Sequence, residues 1–100
     1  MTERSFYVYI LTNEHRTVLH TGMTNDLSRR LTEHGSKASK ESFWARYRTD
    51  RLVYVEVHTT AYNAIVREKQ IKAGSRQKKL DLIAEQNPAW CDLTEDLRGF

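Results

Sequence analysis

One hundred residues with 39% hydrophobic content provide for one small core and leave no room for a second domain. The lone cysteine, Cys91, excludes an internal disulfide and a thiol-built zinc or redox centre, and no run approaches the ~20 apolar residues of a membrane span. The net charge of +3 is unevenly spread: residues 1–79 hold 15 Lys and Arg against 8 Asp and Glu (+7), whereas residues 80–100 hold 1 against 5 (−4), so a basic body suited to a polyanionic partner ends in an acidic stretch.

No apolar leader precedes the first strand, and a soluble, cytoplasmic protein is expected. Phe6, Val8 and Ile10 alternate with Tyr7, Tyr9 and Leu11, which predicts a strand with one apolar face and two tyrosines on the other. The polar turn Asn13-Glu14-His15-Arg16 leads to a second β-prone run, Thr17 to Met23, and so short a connection implies an antiparallel hairpin. Gly22, at its exit, allows backbone or ligand to approach closely.

A helix follows, with Thr24 or Asn25 as its N-cap and Gly35 as its end. Leu27, Arg30, Leu31 and His34 then share one stripe, which turns Arg30 toward the sheet and Arg29 toward solvent. Arg30 either snorkels past the core edge to water or is held inward for a purpose. Residues 35–42 are small and polar, as in an exposed loop, and Phe43-Trp44-Ala45-Arg46-Tyr47 reads as one or two helical turns.

Leu52 to His58 is a third strand, rich in valine and aromatics. From Thr60 the pattern is helical: Ala61, Ala64, Ile65, Glu68 and Lys72 form a stripe with Ile71 beside it, and Gly74 stands just past the end. Ser75 caps a last helix, Arg76 to Gln86, whose Leu80, Ile83 and Ala84 face inward and which Asn87-Pro88 stops. Trp90 and Leu93 are anchors after it. The expected organisation is one domain over residues 1–93 and a flexible tail over 94–100. The order β-β-α-α-β-α-α makes this an α/β domain of the α+β type, with a small mixed or antiparallel three-stranded sheet flanked by helices.

Two helices thus place an ionisable group, Arg30 and Glu68, on an otherwise inward stripe, where an unpartnered charge is costly. The two could pair as an internal salt bridge, which contributes little to stability. Alternatively both line a cleft over the tyrosine face of the hairpin, Glu68 holding a metal ion and Arg30 a phosphate oxygen. Spacing alone leaves both readings open.

Tyr7-Val8-Tyr9, His20-Thr21-Gly22, Thr24, Leu27, Arg30, Leu31, His34, Glu68 and Asn87-Pro88, in that order, resemble the motifs of the GIY-YIG nuclease superfamily. Gly74-Ser75-Arg76-Gln77-Lys78-Lys79 and Asn87-Pro88-Ala89-Trp90 are similar to its short single-domain bacterial branch, and the resemblance spans about residues 6–93. It implies the GIY-YIG endonuclease fold, with Tyr9 as the first-motif tyrosine, Arg30 as the catalytic arginine, Glu68 as the metal-binding glutamate and Asn87 as a phosphate-contacting or architectural amide. Tyr7 stands where the first motif usually has glycine. His20 replaces the second-motif tyrosine and Thr21 its isoleucine. An imidazole, with an ordinary pKa of ~6.5 against ~10 for a phenol, is already suited to accept a proton at neutral pH.

The implied activity is hydrolysis of nucleic-acid phosphodiesters, DNA before RNA, with Mg²⁺ or Mn²⁺ bound through Glu68, because magnesium needs few protein ligands. Arg30 would neutralise charge on the phosphoryl oxygens, and Tyr9 or His20 would activate or align water. Lys69, Lys72, Arg76, Lys78 and Lys79 are candidates to track the substrate backbone, although solvated helix faces also look like this. Nothing reads base sequence, so low specificity is expected. The rivals are a nucleic-acid-binding module without turnover, for which His20 argues, and an accessory subunit of a DNA repair or recombination assembly.

Overall fold

The computed structural model describes residues 5–35 and 51–94. Of the loop predicted at 35–42 and the tail predicted at 94–100, residues 36–42 and 95–100 lie outside the described residues, as do the helical turns predicted at 43–47. Strands β1 (Phe6–Thr12), β2 (Leu19–Thr24) and β3 (Arg51–His58) form one sheet in the order β2-β1-β3, and both pairings are antiparallel. Among the described residues, helices α1 (Leu27–Gly35), α2 (Ala61–Ala73) and α3 (Arg76–Gln86) flank this sheet in an α+β arrangement.

The pleat of β1 sorts the core into two layers. Val8 and Ile10, both fully buried, share a cluster with Val53, Tyr54, Ala64, Ile71 and Ile83, so α2 and α3 cover that face. Tyr9 and Leu11 point the other way and pack with Leu27 of α1 and Leu52 of β3, while Leu31 and Leu93 close over them. Each such aliphatic side chain contributes ~1.5–3 kcal/mol by leaving water, which makes the alternation the main determinant of register. The β1–β3 register skips between Ile10 and Leu11, so Val53 is an extra residue in β3 and turns into the first cluster.

Three local devices set the boundaries, and two of them differ from expectation. β2 begins at Leu19 rather than Thr17 because the Asn13 side chain takes the intervening backbone: Oδ1 accepts from the amides of Thr17 (2.8 Å) and Val18 (3.1 Å). The cap of α1 is Asp26, whose Oδ1 accepts from the Arg29 amide at 3.1 Å, while the Thr24 hydroxyl accepts from the Asp26 amide at 3.1 Å and so shapes the entry to the helix. Ser75 caps α3 as read, accepting from the Lys78 amide at 3.2 Å.

The inward row of α2 also departs from the predicted stripe. Ala64 and Ile71 are buried and Glu68 is half-buried, but Ile65 is 42% exposed and Lys72 is exposed, because the helix leans on the side that carries Arg67. In α3, Leu82 rather than Ala84 joins Ile83 against the sheet.

The outer edge of β3 is closed. Gln86 at the end of α3 mimics a strand, its Oε1 accepting from the Val55 amide (3.0 Å) and its Nε2 donating to the Val55 carbonyl (2.7 Å). The Leu93 amide donates to the Leu52 carbonyl at 2.7 Å, so the segment after α3 covers the next stretch of edge. Gly74 ends α2 with its amide bonded to the carbonyls of Gln70 and Ile71, both at 3.1 Å.

Candidate functional site

Tyr9 and Gly22 are direct partners across β1 and β2, and the tyrosine ring lies over the glycine: an added Cβ at position 22 would stand 2.4 Å from the Tyr9 Oη and 2.5 Å from its Cζ. Gly22 is therefore required for room rather than for an unusual backbone, since no glycine among the described residues has a positive φ. The ring thus crosses its own neighbour, β2. His20, two residues earlier on β2 and paired with Leu11, shares this face, with its ring centroid 6.4 Å from that of Tyr9 and the planes tilted by 58°. Tyr9 is 1% exposed and His20 half-buried, so of the two only the imidazole offers water an easy approach.

Arg30 leaves the inward stripe of α1 half-buried and lines a cleft of about 280 Å³ with Phe6, Met23, Thr24 and Asn25, at the exit of β2. Glu68 sits on the inward row of α2, between Ala64 and Ile71, with a side chain 22% exposed; the Lys72 ammonium approaches its Oε1 at 3.5 Å. The expected meeting of Arg30 and Glu68 over the tyrosine face does not describe this arrangement. Tyr9 and α1 belong to one face of the sheet and α2 to the other, because Val8 and Tyr9 alternate across the pleat. What the four residues share is β2: Tyr9 lies across it, His20 belongs to it, Arg30 flanks its exit, and α2 packs against it.

Among the described residues no three His, Cys, Asp or Glu side chains gather into a metal-binding group. A donor set of one half-exposed carboxylate does not suit zinc, which takes three or four protein ligands. It does fit a hydrated, oxygen-seeking cation such as Mg²⁺, whose shell is completed by water and phosphate.

The predicted nucleic-acid contacts divide. Lys69, Lys72 and Lys78 are exposed, and Lys79 reaches the Gly74 carbonyl at 3.4 Å. Arg76 instead clamps the hairpin turn, donating to the carbonyls of Arg16 (2.8 Å) and Thr17 (3.4 Å). Asn87 is 6% exposed and spends its whole amide on the protein: Nδ2 donates to the carbonyls of Val53 (3.1 Å) and Cys91 (2.8 Å), and Oδ1 accepts from the Cys91 amide (3.0 Å). Asn87 therefore moves from the phosphate-contacting set to the architectural one, since no donor is left for a ligand. Beside the Arg76 clamp, the Arg16 guanidinium stacks 5.0 Å from the Trp90 ring centroid and ties the turn to the segment after α3.

With this geometry in hand, comparison with known proteins is decisive on kinship. A family model described as the GIY-YIG catalytic domain matches residues 5–81. The chain belongs to the GIY-YIG family. The UPF0213 protein of Syntrophus aciditrophicus is 40% identical over 82 residues, covering 82% of this chain and 92% of that one. The UPF0213 protein of Haloquadratum walsbyi is 39% identical over 80 residues, covering 79% and 86%. The solution NMR structure of a UPF0213 protein from Bacillus halodurans superposes with a TM-score of 0.57 at 27% identity, over 91% of this chain and 95% of that one. The short single-domain GIY-YIG branch is thus where the chain stands, and its domain is of nuclease type, with nucleic acid as the class of partner.

One constellation in this GIY-YIG domain escaped the sequence reading. Glu56 on β3 accepts hydrogen bonds from the Tyr54 hydroxyl, from His58 Nε2 (3.0 Å) and from Arg67 of α2 (Nε 3.0 Å to both oxygens, and an NH2 contact at 2.9 Å). Burial pushes the carboxyl up, but the bonds from Arg67, Tyr54 and His58 outweigh it and hold Glu56 below the ordinary carboxylate range. The Tyr54 phenol is pushed up to about 12 by burial and by its bond to Glu56, and the Arg67 guanidinium is held above its ordinary value by Glu56. Tyr54, Glu56 and His58 at alternate positions of one strand were the available signal. Among the described residues no helix is long and apolar enough to cross a membrane.

Proposed function

We propose that this protein is a metal-dependent endonuclease that hydrolyses nucleic-acid phosphodiester bonds, DNA in preference to RNA, with low sequence specificity. The observation that carries this reading is the apposition of Tyr9 and His20 across Gly22, at the two family motifs, on the strand whose exit forms the Arg30 cleft. In this reading Arg30 binds the phosphoryl oxygens, and its fixed positive charge stabilises the negative charge that builds there. His20, the more accessible of the pair, takes the proton of the attacking water on a ring nitrogen as the new P–O bond forms. Tyr9 orients that imidazole. Mg²⁺ or Mn²⁺ held through Glu68, when bound, supplies Lewis-acid stabilisation of the leaving oxygen. Lys69, Lys72, Lys78 and Lys79 hold the backbone of the strand.

The test is nicking of supercoiled plasmid with and without Mg²⁺, alongside branched DNA and RNA. Wild-type protein should nick only with the metal, and Arg30→Ala and Glu68→Ala should each lose at least about 100-fold, the scale of removing one transition-state charge partner. Full cutting by either variant, in preparations free of contaminating nuclease, refutes the assignment. A second reading, a nucleic-acid binder without turnover, is favoured by the near-complete burial of Tyr9 together with His20 at the second motif. Retained DNA binding with no metal-dependent nicking, and no gain from His20→Tyr, would establish it.

A further inference from the structure

The α2–α3 junction encloses a second cleft, of about 260 Å³, lined by Arg67, Gln70, Ile71, Gly74, Lys78, Lys79, Asp81 and Leu82. Its floor is apolar, made by Ile71 and Leu82, which also seat the two helices on the sheet. Its rim carries three cations against one carboxylate, and that carboxylate already accepts from Gln77 Nε2 at 2.9 Å. Lys78 is exposed and its ammonium makes no ion pair among the described residues. Arg67 differs from an ordinary surface arginine. Glu56 grips its Nε and NH2 and is itself held by Tyr54 and His58, and the Tyr54 hydroxyl also interacts with Arg67, so the guanidinium is fixed. A pre-oriented guanidinium loses little freedom on taking a phosphate oxygen, which makes it a better anion contact than a mobile lysine.

We propose that this groove is an accessory site for one nucleotide of a single-stranded nucleic-acid segment, with the phosphate between Arg67 and Lys78 and the base on Ile71 and Leu82. The chemistry on each side argues for that occupant. With Glu56 counted against Arg67 and Asp81 against the lysines, the rim keeps a net charge of +1 that complements a phosphodiester, an apolar floor suits the face of a base, and Gln70 at the edge can donate to or accept from a base edge. The volume is below the ~300 Å³ at which pockets for whole drug-sized ligands begin, and it suits a single base with its phosphate. Glu56 acts here as a positioning residue through Arg67. The inference rests on the proposed function only in taking nucleic acid as the ligand class. It places a second contact on the α2–α3 junction, away from the Arg30 cleft at the exit of β2.

The experiment is an NMR titration of the full chain, in EDTA so that no strand is cut, with three probes: a (dT)6 hexamer, dTMP and inorganic phosphate. The hexamer should shift the amides of Gln70, Gly74 and Lys78 and the methyls of Ile71 and Leu82, dTMP should move the same set more weakly, and phosphate should leave the methyls still. Lys78→Glu, on an exposed position that the fold does not need, should weaken the hexamer about fivefold or more and flatten its log–log salt slope by about 0.7. Asp81→Asn should tighten it about twofold, since a repelling charge is removed. Hexamer affinity unchanged in both variants, or phosphate reproducing the methyl shifts, overturns the site. Groove resonances that stay still in a protein that nicks plasmid in a Glu68-dependent way overturn it too, while the enzymatic reading stands. Hexamer binding here by a protein that never nicks supports it, while the enzymatic reading falls.

Discussion

Replacing Gly22 by alanine tests the packing on which the candidate site stands. The new Cβ would lie 2.4 Å from the Tyr9 Oη, 2.5 Å from Cζ and 3.0 Å from Cε1, so the ring has to retreat by about 1 Å to reach the ~3.5–4.0 Å of ordinary carbon contact. It has nowhere to go. Tyr9 is 1% exposed and packs with Leu11, Leu27 and Leu52. Overpacking of this kind costs about 1–3 kcal/mol, which in a domain of this size lowers Tm by roughly 5 to 20 °C. The backbone itself accepts alanine, because Gly22 has no positive φ, and without the ring the substitution should stabilise by about 0.4–1 kcal/mol through the unfolded chain. The decisive measurement is therefore a double-mutant cycle by thermal unfolding, with Gly22→Ala made in wild type and in a Tyr9→Leu background. The cost should reverse sign in the second. An equal loss in both backgrounds would refute the steric account and mean that position 22 needs glycine for its backbone.

Four further expectations follow from single features. The Thr21 hydroxyl is buried with no hydrogen-bond partner among the described residues, so Thr21→Val should raise stability by about 1 kcal/mol, read as a higher denaturant midpoint at unchanged m. Asn87→Ala strands the buried carbonyl of Val53 together with both backbone groups of Cys91, and should cost at least about 2 kcal/mol in chemical denaturation, whereas a phosphate-contacting residue would leave stability untouched. Glu56→Gln should cost about 1–2 kcal/mol at neutral pH. Because the Glu56 carboxyl is held below its ordinary 4.5 in the folded protein, its stabilisation is complete above that value and is lost as pH falls through the lower folded one. Denaturation midpoints of wild type and Glu56→Gln should therefore converge in acid, and a gap that stays constant down to pH 2 sinks the assignment. At the other end, Tyr54 is raised from 10.0 to about 12, so the fold should weaken as pH climbs through that window, and Tyr54→Phe should remove this slope.

Three strands and the helices flanking them could be read from periodicity because each buries a single stripe or face. The boundaries could not, where a side chain overrides the pattern: Asn13 takes two amides that β2 would have used, and Asp26, just past both expected caps, captures the Arg29 amide. The site shows the same division. Arg30 and Glu68 were legible as charges on inward rows. Arg67, next to Glu68, was not, because a cation flanking an inward stripe looks solvated until the strand beneath it is known to carry Glu56. Gly22 was legible as a place of close approach, but what approaches it depends on the register that sets it opposite Tyr9.

That register also governs how a site can be built here. A strand sends neighbouring side chains to opposite faces, so Tyr9 and the helix bearing Glu68 cannot lie on the same side of β1. Groups from both faces can act on one phosphate only around the rim of the sheet. The outer edge of β3 is occupied by Gln86 and the segment at Leu93. β2, the other outer strand, receives the Tyr9 ring over Gly22 and has Arg30 at its exit. A scissile phosphate served by all four residues would therefore sit beside β2, near Met23 to Asn25, rather than on the tyrosine face.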